Sequence, residues 1–274
     1  MRENRLASIS INILLTVFAA ISFFPIYMAI VNSFKSQGEI FSSVLSLPTT
    51  LNFDNYISVF GELNLLGSAL NTLIVTVIGL GGIVICGSLA GYKLARTPGK
   101  LSTIIFILFI ASMLVPFHSI MITLSQMAKG IGIQGSLPGL GLIYIGLGVN
   151  MAVFLYHGFV KSIPLELEEA AKIDGCSDLQ IFIQIIFPLL KPITATILIL
   201  NVLWLWNDFL LPLIMLTDVN NYTLMLSINM LFGQYTSDWP KILAALVLTA
   251  LPVIAFYAFF QKHILAGISE GAIK

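Results

Sequence analysis

Six long apolar stretches divide this chain of 274 residues. Each can cross a bilayer core about 30 Å thick, which takes about 20 mostly apolar residues in a helix. None alternates apolar and polar positions as barrel strands do, and lipid leaves backbone groups without partners unless the segment is helical. The pattern therefore predicts an all-α integral membrane protein with six transmembrane helices. The predicted spans cover residues 9–31, 70–92, 101–124, 139–160, 191–216 and 241–261.

Composition supports a membrane protein. The chain is 58% hydrophobic and 9% charged, whereas a soluble domain carries roughly 25% charged residues. The net charge is zero and no basic block occurs, so a nucleic-acid partner is not expected. The first stretch is too long for a signal-peptide core and lacks a small-residue cleavage site, which predicts an uncleaved first span. Residues 1–274 are interpreted as one domain.

The distribution of basic residues predicts the orientation. With the N-terminus inside, the inside segments hold ten of the 13 Lys and Arg residues and the outside segments hold three. Basic residues accumulate on the cytoplasmic side of membrane proteins, so both termini and the segment 161–190 are predicted to be cytoplasmic. The two long outside loops are residues 32–69 and 217–240, and the first of them is polar and rich in turns. The apolar run 223–232 in the second loop is too short to span and is expected to be re-entrant or interfacial.

An acidic segment lies between the fourth and fifth predicted spans. Five of the 13 acidic residues fall between Glu166 and Asp178. Pro164 suits a first helical turn, and Gly175 suits a helix end. A second helix is predicted to follow, with Ser177 and Gln180 as its capping box. This segment is therefore predicted to be two short cytoplasmic helices separated by a glycine.

Small residues give the first of these helices a narrow face. Ala170 and Ala171 add little bulk beside Leu167, and such a face allows another protein to approach the backbone. Glu168 and Lys172 are spaced for a favourable pair on the helix surface. A juxtamembrane helix without a partner explains the same residues, and helix propensity alone does not decide between the two interpretations.

The same segment resembles the EAA loop of ABC importer permeases, most closely those of the maltose-type carbohydrate family. The resemblance extends over nearly the whole chain, with Lys93 and Phe187 as departures from the family pattern. The matching residues are Asn71–Thr76, Leu89–Arg96, Ser162–Glu169, the EAA residues Glu169–Gly175, Phe182, Ile185, Pro188, Pro192, Trp206–Phe209 and 261–274.

The resemblance implies a role and a set of partners. The EAA loop is the coupling helix, which docks in a cleft of a cytoplasmic ATPase subunit. The implied partners are a second permease of similar fold, two cytoplasmic ATPase subunits, an extracytoplasmic solute-binding protein and a sugar, all at a prokaryotic plasma membrane. ATP and Mg²⁺ belong to the ATPase subunits, and this chain is expected to hold no cofactor and to catalyse nothing. The implied ATPase-coupling residues are Glu169, Ala170, Ala171, Asp174 and Gly175.

A second candidate site lies in the fifth apolar stretch. Asp208 is a carboxylate in a predicted span, where it is costly unless it is paired or faces water. It follows Trp204, Trp206 and Asn207, and aromatic faces beside polar acceptors suit a sugar ring and its hydroxyls. The alternative is a structural Asp208 that caps a broken helix or bonds a neighbouring subunit. These four residues form the candidate substrate path.

A pair of glycines in the second span has two interpretations. Gly87 and Gly91 have GxxxG spacing, which permits close helix approach. Packing within the chain is the simpler interpretation, and a subunit interface is the other.

Other functions fit the sequence less well. An intramembrane enzyme needs a nucleophile–base pair or metal ligands at one depth, but the three histidines are scattered. An ion-coupled secondary transporter usually shows internal repeats and several midplane ionisable residues, and only Asp208 qualifies. No G-x-x-x-x-G-K-[ST] loop occurs, so ATP is not expected to bind this chain through a P-loop. An ABC importer of a non-sugar solute remains an alternative to the sugar importer.

Overall fold

Helices make up most of the computed structural model, which describes residues 5–233 and 237–272, with side chains from residue 9 to residue 259. Within these residues, strand pairing is limited to an isolated bridge between Phe232 and Ser237. The helices are α1 Arg5–Ser33, α2 Gln37–Ser42, α3 Asp54–Glu62, α4 Leu65–Arg96, α5 Lys100–Ser112, α6 Phe117–Gly130, α7 Leu137–Val160, α8 Glu166–Ile173, α9 Asp178–Ile181, α10 Phe187–Leu189, α11 Lys191–Asn207, α12 Leu210–Met215, α13 Leu224–Asn229 and α14 Trp239–Ala272. A π-helical turn, Phe182–Ile186, joins α9 to α10, and a 3₁₀ turn, Val219–Asn221, precedes α13.

Four of the predicted spans correspond to single long helices. Each has the length and apolar character needed to cross a membrane. They agree with the first, second, fourth and sixth predicted stretches to within a few residues, except that α4 extends the second stretch at both ends. The four segments are Ile9–Ser33, Leu65–Arg96, Leu137–Val160 and Trp239–Phe259.

The third predicted span, 101–124, is not one straight helix. Helix α5 ends at Ser112, α6 begins at Phe117, and the two are bent by 102°. Pro116 lies in the break and has no N–H to donate, and a proline also disfavours helical backbone at the residue before it. The prediction of a continuous helix was therefore wrong here, although the pair counts as one span if the bend lies within the membrane.

The fifth predicted span, 191–216, is also interrupted. Helix α11 stops at Asn207, Asp208 is extended with φ −74° and ψ 132°, and α12 begins at Leu210. Pro212 lies in the first turn of α12, where its missing N–H leaves no hydrogen bond unmade. A second bend, of 72°, separates 178–189 from α11. Counting each bent pair as one span gives up to six candidate spans among the described residues.

Contacts between residues group the chain into two compact units. Unit 1 is Met1–Leu66 with Ser227–Pro252, and unit 2 is Gly67–Leu226 with Val253–Lys274. Both candidate sites lie in unit 2. The assignment of residues 1–274 to a single domain stays a prediction.

Unit 1 contains an ordered loop where the sequence indicated only turns. Helices α2 and α3 lie in this loop, and the fully buried Lys35 donates from Nζ to the Ser43 carbonyl at 3.0 Å. A capping box from Ser36 and Glu39 begins α2. Hydrogen bonds from Thr49 and then Ser36 lower the pKa of the Glu39 carboxyl to about 2, so this carboxylate stays ionised well into the acid range.

Close packing of α4 on α7 positions the first candidate site in unit 2. A β-carbon placed on Gly87 would lie 2.6 Å from that of Ala152, and one on Gly91 would lie 2.7 Å from that of Tyr156. Neither contact leaves room for a side chain. The two glycines therefore pack against α7 of the same chain, which confirms the simpler interpretation of the GxxxG spacing.

Candidate functional site

The acidic segment folds as two short helices, in agreement with its caps. Helix α8 carries three glutamates in its first turn, where the helix dipole favours negative charge. It begins at Glu166, so Pro164 precedes the helix, whereas the sequence indicated that Pro164 lies in the first turn. Helix α9 begins with the predicted capping box, in which the Ser177 side chain accepts from the Gln180 N–H and the Gln180 side chain accepts from the Ser177 N–H. The order helix, break, helix is confirmed.

A glycine turn closes the C-terminal end of α8. Gly175 has a φ of +85°, which a residue without a β-carbon adopts at little cost. Its N–H donates to the Lys172 carbonyl at 3.1 Å, and the Cys176 N–H donates to the Ala171 carbonyl at 3.0 Å. This pair of bonds is a Schellman motif. The predicted stop at Gly175 thus has a defined geometry.

Glu168 does not pair with Lys172 as the helical spacing predicted. Its side chain turns inward, where it accepts from the Tyr92 hydroxyl at 2.7 Å and from Arg96 Nε at 2.6 Å. Lys172 instead lies 3.6 Å from the exposed carboxylate of Asp178. The prediction was wrong because a buried carboxylate gains more from partners that are themselves shielded from water than from an exposed lysine.

Helix α8 has a buried face and an exposed face. Ala171 is 5% exposed and belongs to the apolar core of unit 2, so the prediction that its methyl group lies on the open face was wrong. Ile173 is 87% exposed and Leu167 is half-exposed, which leaves apolar side chains open to contact. The exposed residues among the predicted coupling set are Glu169, Ala170, Asp174 and Gly175.

A cavity of about 460 Å³ lies between the α5–α6 bend and the break that separates α11 from α12. It opens beside the α5–α6 bend and the end of α11, and it contains two of the four predicted substrate-path residues, Trp204 and Asp208. Its volume falls within the range of small-molecule sites, about 300–1,000 Å³. Trp206 and Asn207 do not line it, because they project from other sides of α11. Asn207 is exposed and donates from Nδ2 to the Leu203 carbonyl at 2.8 Å.

Asp208 both caps a helix and lines the cavity. One carboxylate oxygen accepts from the Tyr144 hydroxyl at 2.7 Å, and the other accepts from the Leu210 N–H at 3.1 Å. Trp204 meets the Tyr144 ring edge-on, with centroids 5.4 Å apart. The structural interpretation of Asp208 is therefore correct in its capping part, and the same side chain still borders the open volume.

Three further polar residues line this cavity. They are Ser112 at the end of α5, His118 at the start of α6 and Asn150 of α7. Sequence reasoning passed over Asn150, although a carboxamide inside an otherwise apolar span is the same kind of signal that singled out Asp208. His118 was noted only as a scattered histidine.

No grouping of three His, Cys, Asp or Glu side chains suited to a metal ion occurs in the described part of the chain. The polar groups at the two sites include carboxylates, which accept hydrogen bonds, and hydroxyls, amides, an indole and a guanidinium, which donate them.

A family profile decides what kind of protein this is. The profile for the binding-protein-dependent transport system inner membrane component matches residues 83–270, which include both candidate sites. The chain belongs to this family. It is a permease, a transport component rather than an enzyme, and a multi-pass protein of the cell membrane.

Two similar permeases match over nearly their full length. A probable starch degradation products transport system permease protein, AmyC, of Thermoanaerobacterium thermosulfurigenes is 43% identical over 251 residues, 91% of each chain. The melibiose/raffinose/stachyose import permease protein MelC of Bacillus subtilis (strain 168) is 36% identical and covers 100% of both chains.

A solved structure shares the fold of the permease. A chain in the crystal structure of a bacterial ABC transporter involved in the import of the acidic polysaccharide alginate superposes with a TM-score of 0.81. The match covers 96% of this chain and 98% of the other, at 24% sequence identity.

Proposed function

We propose that this permease is a membrane-spanning subunit of an ATP-driven importer that carries a sugar or oligosaccharide. Two observations support a sugar: similar permeases are named for starch products and for melibiose, raffinose and stachyose, and the cavity at Asp208 combines an indole with polar acceptors. An extracytoplasmic solute-binding protein delivers the substrate, in keeping with the family description.

The proposed assembly contains a second permease and two cytoplasmic ATPase subunits, which bind ATP and Mg²⁺. The two bent helix pairs count as spans in this proposal, giving six spans with both termini and α8 in the cytoplasm. The ten-to-three division of basic residues supports this orientation.

The exposed face of α8 is the observation that carries the coupling role. The helix lies outside every candidate span, yet it presents Leu167, Ala170 and Ile173 to solvent. These positions follow a spacing of three, so they share one side of the helix. A flat apolar surface flanked by Glu169 can pack into a groove on another protein. In this proposal the groove belongs to the ATPase.

Asp208 and Trp204 form the proposed substrate path in this chain. Trp204 offers an apolar ring face, while Asp208, Asn150 and His118 offer groups that bond hydroxyls. Trp206 and Asn207 lie outside this cavity, and in this proposal they face the aqueous path at the interface with the second permease. An importer of a non-sugar solute is the alternative, and uptake measured with a panel of sugars and non-sugar solutes distinguishes the two.

Substitutions that add bulk or charge to the exposed face of α8 test its proposed docking on the ATPase. Ala170→Leu and Ile173→Asp should leave the permease pair assembled, because neither side chain packs into this chain's own core. Overpacking a docked surface costs about 1–3 kcal/mol. The ATPase should therefore wash off more readily, and substrate-stimulated hydrolysis and uptake in proteoliposomes should fall by about tenfold or more.

Lys172→Ala is the matched control, since its side chain is 60% exposed and makes only a long ion pair. It should copurify with the ATPase and transport normally. If both Ala170→Leu and Ile173→Asp retain the ATPase and normal uptake, α8 is an ordinary loop helix and the coupling role is abandoned.

A further inference from the structure

A buried polar cluster joins the end of α4 to the start of α8. Glu168 is 4% exposed, and it is bonded by Arg96 and Tyr92 of α4. Arg96 is the last residue of its helix and also donates from Nη2 to the Ile163 carbonyl at 2.8 Å. One guanidinium thus holds both the first turn of α8 and the turn that precedes it.

The geometry of this cluster restricts motion. Tyr92 and Arg96 are one helical turn apart, so they project from the same side of α4 and bond different oxygens of one carboxylate. A guanidinium binds in a fixed planar arrangement, and a shielded pair is little weakened by water or salt. Helix α8 therefore has a defined orientation relative to the end of α4.

Apolar packing surrounds the polar cluster. The Tyr92 ring lies 5.3 Å from that of Phe182, in the π-helical turn that follows α9. Ile163 and Ala171 belong to the same buried core. The buried side of α8 is thus held by hydrogen bonds at its start and by apolar contacts along its length.

We infer that Arg96 and Glu168 are positioning residues that transmit movement of α8 to the second membrane span. The inference rests on the proposed docking of α8 on the ATPase. Movement of α8 displaces the Glu168 carboxylate, and Tyr92 and Arg96 of α4 bond that carboxylate directly. The movement therefore reaches α4 without passing through a loop. The ion pair acts as a joint between the ATP-driven element and a span, while the outer face of α8 makes the docking contact.

A double-mutant design separates this role from a purely structural one. Arg96→Ala and Glu168→Ala each leave one buried charge without its partner, which is strongly destabilising, whereas removing both charges is much less so. The melting temperature of the purified complex should fall in each single variant and recover in the double variant. Sugar imported per ATP hydrolysed should fall by about tenfold in all three, since the joint is absent in each.

In the double variant, the melting temperature should therefore recover while the sugar imported per ATP hydrolysed, the transport ratio, stays low. Tyr92→Phe removes one bond and should show a smaller loss of transport per ATP. Lys93→Ala is the matched control, because Lys93 lies in the same turn but is exposed. Recovery of the transport ratio together with the melting temperature, or a normal ratio in the single variants, would overturn the inference.

Failure of this inference can be told apart from failure of the proposed function. Ala170→Leu and Ile173→Asp test docking on the outer face without touching the joint. If they abolish coupling while the Arg96 and Glu168 variants import normally, only the joint is rejected. If they have no effect, the docking role itself is rejected.

Discussion

A single carboxylate, Asp208, has a structural and a transport assignment at once. Its two oxygens hold Tyr144 and the first N–H of α12, and its edge borders the cavity beside Trp204. Loss of the side chain would leave the Tyr144 hydroxyl, which is buried, without an acceptor. That alone costs about 1–3 kcal/mol, so a truncation cannot distinguish the two assignments.

The isosteric change Asp208→Asn can distinguish them. An amide oxygen can still accept from Tyr144 or from the α12 backbone, so assembly and melting temperature should change little. The charge is lost, and uptake should fall by about fivefold to tenfold if the carboxylate contacts sugar hydroxyls. A hydrogen bond to a charged group contributes about 1.5–3 kcal/mol and a neutral one about 0.5–1.5 kcal/mol, so the change costs roughly 1–1.4 kcal/mol.

Tyr144→Phe is the companion variant for Asp208→Asn, because it removes the structural bond and keeps the charge. Uptake by Asp208→Asn that equals that of the parent protein would remove the Asp208 charge from the substrate path. ATP-dependent uptake of radiolabelled sugar into proteoliposomes measures both variants.

Helix α8 has eight residues, too few to persist alone in water. Its order depends on what flanks it: the Schellman turn at Gly175, the neighbouring capped helix α9, and the contacts of Glu168 and Ala171 with the core. Each of these fixes the end or the inner face of the helix. The outer face is left free to meet a partner.

Gly175→Val should weaken this helix without affecting the spans. Valine at a φ of +85° costs on the order of 1–3 kcal/mol, and its branched β-carbon makes the left-handed conformation least accessible. Six-span insertion should persist, while ATPase copurification and uptake fall. Gly175→Asn is the control, because asparagine tolerates this conformation. Equal loss in both variants would show that the turn geometry is not what matters.

The sequence predicted elements better than it predicted their interruptions and inner contacts. Apolar length is a local property, so four spans were located closely, and caps are local too, so Gly175 and Ser177 were interpreted correctly. The bend near Pro116 depends on how the freed backbone packs. The partner of Glu168, Arg96, is 72 residues away, and no local pattern reports it. The inward turn of Ala171 was missed for the same reason.

The whole permease presents one chemical asymmetry, the unequal division of its basic residues between the two sides of the predicted membrane. The exposed Leu47 lies in the first predicted outside loop, and the exposed Lys172 lies in the acidic segment. Both positions tolerate substitution because neither is packed in a core.

Cysteine labelling tests the orientation. In a variant with Cys86 and Cys176 changed to serine, Leu47→Cys should react with an impermeant thiol reagent in intact cells or spheroplasts. Lys172→Cys should react only after the membrane is opened, because excess positive charge stays inside. The reverse pattern would reject the proposed topology.

The open side of α8 has a consequence for the cell that makes this permease. Ile173 is almost fully exposed beside Leu167, and uncovered apolar groups on an otherwise polar segment attract chaperones and proteases. Under the proposed docking, a copy bound to its ATPase covers these side chains, whereas a copy without an ATPase exposes them. We therefore expect unassembled copies to be degraded first, which would keep the permease and the ATPase in a fixed ratio.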